Sequence, residues 1–280
     1  MHYLRIKNLK NCCLLVNEMF EKEKFRNSLL DYFEEFKKVV TTEDNEWVVK
    51  GFIDIYKNIY TISLDTKVIS KIIELMIFPT VLKFASEHNY KVLPAEYQNH
   101  YPDITFITEN NEKIAVDLKS TYYKNKNTVN GFTLGSFTGY FRNRDSTKNI
   151  LFPYNDYSAH YVLGVVYRRT EQDVDEYKKY TIDDLKSISS VANDFTFLLQ
   201  EKYKLATDKP GSGNTKNIGS VKKINELING KGPFSTRGID VFDNYWMNYY
   251  TKDMALAIDS KPPYKNLEEY DLWVQKLNSQ

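Results

Sequence analysis

A chain of 280 residues with 42% hydrophobic and 27% charged residues is long enough to bury one large core or two modest ones. Its net charge of +1 excludes a protein that coats nucleic acid by bulk charge, though local basic surface is still allowed. Cys12 and Cys13 are adjacent and cannot build a disulfide framework, and no Cys/His cluster has zinc spacing.

Taken in chain order, residues 17–39 carry an apolar stripe of Phe20, Leu29, Leu30, Phe33 and Phe36 and predict a helix. Residues 47–63 alternate and predict short strands. Residues 66–89 predict a helix interrupted or kinked at Pro79. On it Lys67, Ser70, Lys71 and Glu74 share one face, which reads either as a solvated face with an ion pair or as a carboxylate offered to a site.

Pro102-Asp103-Ile104-Thr105-Phe106-Ile107 and Ile114-Ala115-Val116-Asp117-Leu118-Lys119 predict two neighbouring strands joined at Asn110-Asn111. Alternation puts Asp117 and Lys119 on one face, and a two-residue turn would set Asp103 opposite Leu118, between them. Such a hairpin is commonly just a solvated charged surface. Two carboxylates and a lysine are also the minimum for cutting a phosphodiester: acids to hold a divalent cation, and a cation where the transition state gains negative charge. Gln98-Asn99-His100 precede it as a polar turn, or as a loop able to touch DNA; His100 has no visible partner for base catalysis.

A polar, Gly-containing stretch runs from 123 to 148, and Tyr161–Tyr167 is a near-continuous apolar run that predicts a buried central strand. Acids crowd 171–184, whereas 201–237 is basic. Residues 195–205 predict a strand, 206–220 a loop, and 239–280 helices anchored by Phe242, Tyr245, Trp246, Tyr270 and Trp273. Gly211-Ser212-Gly213-Asn214-Thr215 lacks the ending of a nucleotide P-loop and reads as a flexible surface loop. For DNA its residue types also suit: glycine permits close backbone approach, Asn pairs with adenine, and the Thr methyl meets that of thymine. The pattern is α/β (α+β), one domain over 1–280, with no nucleotide cofactor.

Four segments together resemble the EcoRV family of type II restriction endonucleases, with its PD-(D/E)xK nuclease fold. They are Asp65-Thr66-Lys67-Val68 with the helix carrying Glu74; Gln98 to Asp103; Phe132-Thr133-Leu134-Gly135 through Thr147-Lys148-Asn149-Ile150; and Gly211 to Thr215 with Asn217-Ile218-Gly219-Ser220. The resemblance implies a restriction-endonuclease-like mixed β-sheet flanked by helices. It implies a homodimer cutting palindromic double-stranded DNA with Mg²⁺, Mn²⁺ substituting, to blunt ends, at the hexamer GATATC.

By the same resemblance, Asp103, Asp117, Lys119 and Glu74 are catalytic, the three acids holding metal. Gly211, Ser212, Gly213, Asn214 and Thr215 form the major-groove loop, with Asn217 and Lys216 beside it. Gln98, Asn99 and His100 lie by the minor groove, and Thr133, Thr138 and Lys148 contact the backbone. Residues 1–25 are expected to be an N-terminal extension, about 26–63 a dimerisation part, and 64–280 the catalytic and recognition part. Departures from the family are Leu118 within Asp-x-Lys, an insertion at Arg144-Asp145, and Gly139 in place of a hydroxyl residue. With no secretory signal and no apolar run of membrane-spanning length, a bacterial cytoplasmic location is the expectation. Other readings are a nuclease of the same fold with different specificity, and a DNA-binding module without catalysis.

Overall fold

A computed structural model describes residues 21–62, 64–170, 175, 177–211 and 215–279. The expected first helix is present as α1 over 21–31 and α2 over Phe33–Val40; residues 17–20 of that expectation lie outside the described residues. Strands β1 (Gly51–Ile53) and β2 (Ile59–Thr61) follow, but Trp47–Val49 make only a bridge to Thr41. The next helix, α3 (Thr66–Glu87), buries Ile69, Ile73, Ile77, Val81 and Phe84, a stripe at helical spacing. It runs unbroken through Pro79, whose missing N–H falls four residues after the exposed Leu75.

The Asp65 side chain accepts from the amides of Lys67 and Val68 at the start of α3. Two of the helix's free donors are thereby satisfied. Asp65→Ala is expected to cost about 1 kcal/mol, measured as a lowered urea midpoint with unchanged slope.

The main sheet contains β3 (Lys91–Pro94), β4 (Ile104–Ile107), β5 (Lys113–Tyr122), β7 (Tyr157–Arg169) and β9 (Ala192–Glu201), in that order. Its pairings are antiparallel except β5 with β7, which is parallel. β7 holds the expected apolar run and is buried almost throughout, as a central strand must be. Gly164 interrupts it because a Cβ there would meet Leu198 and Phe132 at 2.9 Å.

Helices α1 to α3 cover one face, where Phe25, Phe36, Ile73 and Phe84 pack on Ile114, Val116, Tyr161 and Leu163. The other face carries a second core, built on Ala115, Val162, Val166 and Leu198. Over it lies a three-stranded sheet of β10 (Ala206–Pro210), β11 (Asn217–Ser220) and β6 (Thr133–Ser136). Helices α5 (Ile224–Ile228), α6 (Ile239–Asn248), α7 (Lys252–Leu256) and α8 (Leu267–Asn278) complete that side with the expected Phe242, Tyr245, Trp246 and Tyr270. A third small sheet joins β1 and β2 to β8 (Lys179–Tyr180). No helix among the described residues is long and apolar enough to cross a membrane.

Two further expectations are corrected. The predicted strand 195–205 ends at Glu201, and Lys202–Leu205 form one turn of helix, α4. The predicted loop 206–220 is an antiparallel hairpin, β10 against β11, closed by Gly211 N–H to the Asn217 carbonyl at 2.9 Å. Its Asp, Lys, Pro and Gly content hides the strand period. The pairing rests instead on the buried Ile218 and on Gly219, whose Cβ position lies 2.9 Å from the Gly211 Cα.

Candidate active site and nucleic-acid interface

The β4–β5 hairpin forms, but its register differs by one residue from that of a two-residue turn. Ile104 pairs with Val116 and Ile107 with Lys113. The turn spans Glu109, Asn110 and Asn111, and Asn111 takes φ +63°, the left-handed residue that a three-residue hairpin loop needs. Asp103 consequently lies just before β4, after the Tyr101–Pro102 cis bond, and is free to turn inward.

Asp103 Oδ2 accepts from the Leu118 amide at 2.7 Å and from Lys119 Nζ at 3.2 Å. Lys119 Nζ is also 2.8 Å from Asp117 Oδ2 and donates to the Leu118 carbonyl at 3.2 Å. Asp117 and Lys119 share the sheet face expected from alternation, while Leu118 packs into the opposite core. Two acids and one ammonium thus meet at a single point, with Asp117 only 4% exposed.

Burial pushes the Asp103 carboxyl up to about 7, and the Asp117 charge adds to the rise. Burial works the same way on Asp117, but Lys119 outweighs it and holds that carboxyl below its usual range. Against desolvation, the two carboxylates keep Lys119 above the ordinary lysine range. The pair is therefore split: one acid ionised throughout the neutral range, the other titrating within it.

A cleft of about 1090 Å³ opens in front of this point. It is lined by Asp103, Asp117, Lys119 and Glu74, and also by Gln98, Asn99, His100, Thr133, Thr138, Lys148 and Asn217. Residues scattered over 144 positions of sequence are brought to one concavity. β6 and β11 supply part of this wall, Asn217 pairing with Ser136. The Thr138 hydroxyl sits 2.9 Å from that of Ser136, and the His100 ring packs edge-on to Tyr97. Gly211 and Thr215 stand at the end of the β10–β11 hairpin; Ser212, Gly213 and Asn214 lie outside the described residues.

Glu74 is on the cleft rim but apart from the acid pair. It projects from α3, which packs on the opposite face of the sheet, and its Oε1 is 2.6 Å from Lys71 Nζ. The i,i+3 ion pair read from the sequence is what the structure shows. Among the described residues, no three His, Cys, Asp or Glu side chains gather as a metal cluster.

Several residues at this point escape sequence reasoning. Tyr101 and Tyr140 stack with centroids 5.3 Å apart, both lining the cleft. His160 Nδ1 is 2.9 Å from the Tyr101 hydroxyl, and burial drives its pKa well below normal, so it stays neutral. Lys202 is buried behind them, yet nothing in a basic stretch of sequence distinguishes it.

A mixed sheet flanked by helices, with an acid pair and a lysine converging in one cleft, defines the restriction-endonuclease-like class of nuclease. Residues 43–275 match the family model described as restriction endonuclease EcoRV. The chain is also 39% identical over 237 residues to the type II restriction enzyme EcoRV of Escherichia coli, covering 84% of this chain and 94% of that protein. The chain belongs to the EcoRV family of type II restriction endonucleases, enzymes that act on DNA at specific sites.

Proposed function

We propose that the protein is a homodimeric, Mg²⁺-dependent endonuclease that cuts both strands of duplex DNA at GATATC. The products are blunt ends with 5′-phosphate and 3′-hydroxyl. The observation that carries this reading is the convergence of Asp103 and Asp117 on one ammonium, at 3.2 and 2.8 Å.

The donors fit a hard divalent cation. Lys119 Nζ already marks a position that both carboxylates reach, and oxygen ligands of this kind favour Mg²⁺, with Mn²⁺ able to substitute. When bound, the cation supplies Lewis-acid charge at the phosphate and lowers the cost of forming hydroxide.

The protein's own residues do the rest. Asp103 and Asp117 hold the cation, and Glu74 serves as accessory carboxylate toward a second one after releasing Lys71. Lys119 turns from the acids to the phosphate and stabilises charge growing on its non-bridging oxygens. A water oxygen bonds to phosphorus as the P–O3′ bond breaks, the 3′-oxygen taking up a proton.

Gly211, Ser212, Gly213, Asn214 and Thr215 read the major groove, and Asn217 and Lys216 meet nearby phosphates. Gln98, Asn99 and His100 face the minor groove, and Thr133, Thr138 and Lys148 the backbone. One cleft holds one acid pair, so cutting both strands of a palindrome calls for a two-fold dimer. Residues 26–63 are its dimerisation part, since β1 and β2 with their turn expose Phe52, Ile53, Ile55 and Tyr56. Residues 64–280 form the catalytic and recognition part, and 1–25 an extension.

Digestion of a plasmid of known sequence with Mg²⁺, followed by end mapping, tests the whole reading. Discrete fragments ending at GATATC are expected. Discrete ends elsewhere refute the site alone, and a smear or no cutting refutes the restriction activity.

A pH dependence follows from Asp103, which burial pushes up to about 7. Below that value a proton competes with the cation for the same carboxylate. Apparent Mg²⁺ affinity without DNA is expected to fall by up to roughly tenfold for each pH unit lost. Calorimetric titration at several pH values checks this, and an affinity flat across pH 7 rules Asp103 out as a ligand.

A further inference from the structure

Lys202 opens α4 at the end of β9 and is only 1% exposed. Its Nζ has no hydrogen-bond partner among the described residues. Aromatic faces hold it instead: the centroid of Tyr101 is 4.5 Å away, that of Phe141 5.8 Å and that of Tyr154 5.9 Å. Lysine is rarely buried so fully without a paired acid, and the reaction described above gives this one no part.

The sheet register places it behind the acid pair. Glu201 faces Tyr161 on β7, so Lys202 stands one residue further, beside His160. His160 pairs with Ala115 on β5, two residues before Asp117 and on the same face. Tyr101, the nearest ring, is two residues from Asp103 and lines the cleft.

The wall between ammonium and cleft is thin. A Cβ on Gly135 would lie 3.5 Å from Lys202 Nζ, and Gly135 lines the cleft with φ +91°, a conformation costly for a side-chain-bearing residue. Asp243, the other acid near Lys202, is already taken by Arg144 at 3.0 Å. The charge of Lys202 therefore bears chiefly on Asp117. Burial lowers Lys202 to about 8, and the Asp117 carboxylate is the largest influence opposing that fall.

This step rests on the reading of Asp103 and Asp117 as the holders of a divalent cation. We propose that Lys202 is a positioning residue. Its buried positive charge, behind the cleft wall, sets how tightly the acid pair takes a divalent cation. That charge repels the incoming ion, and the buried side chains around it screen it little. Removing the charge should tighten cation binding, whereas a merely structural lesion would loosen it.

The test is Lys202→Met in the full chain without DNA, titrated calorimetrically with Mg²⁺ and with Mn²⁺ near neutral pH. The expected result is an affinity roughly tenfold tighter than wild type, Lys202→Arg remaining close to wild type. An unchanged or weaker affinity in folded Lys202→Met overturns the proposal. Should that variant fail to fold, isotope-labelled lysine side chains in the wild-type protein serve instead. The Lys202 ammonium resonance should then shift saturably with Mg²⁺ and stay still in Asp117→Ala. A resonance that ignores Mg²⁺ while calorimetry records binding overturns the proposal alone. If the wild type takes up no cation, or Asp117→Ala takes it equally, the acid pair is not the cation site and both readings fall.

Discussion

Lys119→Ala is expected to lower the rate of DNA cleavage by roughly 10³-fold or more, with binding to duplex DNA changed only several-fold. The asymmetry follows from geometry. Lys119 Nζ sits within 3.2 Å of both acids and forms only part of a cleft whose other lining is spread over many residues. On the proposed mechanism its loss removes positive charge where the transition state gains negative charge and leaves most candidate DNA contacts in place.

The substitution also strands the Asp117 carboxylate, 4% exposed, without its ion-pair partner. Uncompensated buried charge of this kind costs about 3–5 kcal/mol, reduced here to the extent that Asp117 takes up a proton. Lys119→Ala should therefore unfold at lower urea than wild type when metal-free. Added Mg²⁺ should recover much of the difference, because a cation can then replace the ammonium between the acids. Single-turnover cleavage, a mobility-shift titration and urea unfolding with and without Mg²⁺ separate these effects. A variant that still cuts near the wild-type rate would sink the assignment of Lys119. One that loses stability and is not rescued by Mg²⁺ would argue that the lysine merely neutralises a buried acid.

The convergence of Asp117 and Lys119 is legible in local sequence because alternation on β5 fixes which residues share a face. That is why Asp117 and Lys119 stand together while Val116 and Leu118 enter the other core. The register was less legible. Asn111 at φ +63° adds one residue to the turn, and no apolar pattern distinguishes two-residue from three-residue loops in Glu-Asn-Asn-Glu. The error proved harmless because Asp103 lies outside the paired strand and its contact with the Leu118 amide sets its place.

The β10–β11 hairpin was missed for a different reason. Ala206-Thr207-Asp208-Lys209-Pro210 has no period-2 apolar signal, and its order comes from tertiary partners. The Asp208 carboxylate accepts from the Leu267 amide at the start of α8, and the Asp208 carbonyl accepts from the Tyr245 hydroxyl. The C-terminal helices thus brace the strand that leads to Gly211, a relation that no local window contains. Lys202 is the extreme case. Its meaning lies wholly in burial among Tyr101, Phe141 and Tyr154, residues 48 to 101 positions away in sequence.

If the proposed dimer forms through β1 and β2, Phe52→Asp combined with Ile55→Asp is expected to raise its dissociation constant by about 10³-fold, equivalent to about 4 kcal/mol, while leaving the monomer folded. The small sheet of β1, β2 and β8 stands apart from both main cores and buries little of its own apolar surface. Phe52 is 52% exposed and Ile55 88% exposed, with Tyr56 79% exposed in the same turn. A patch of this kind is costly to leave in water, and a two-fold axis through it would cover each copy with the other. Ile55 is almost wholly exposed and Phe52 about half exposed, so the double substitution removes little intramolecular packing and unfolding should move by about 1 kcal/mol. Two carboxylates facing their own symmetry copies would instead be desolvated and mutually repelled. Sedimentation at several concentrations reads the dimer constant directly. On the proposed reading the functional consequence is specific: a lone protomer would keep one acid pair but present a single β10–β11 hairpin to a palindrome. Double-strand cleavage should then become steeply dependent on protein concentration and return as concentration rises. A monomer–dimer constant indistinguishable from wild type would place the interface on another surface and leave the exposed β1–β2 residues without a role in assembly.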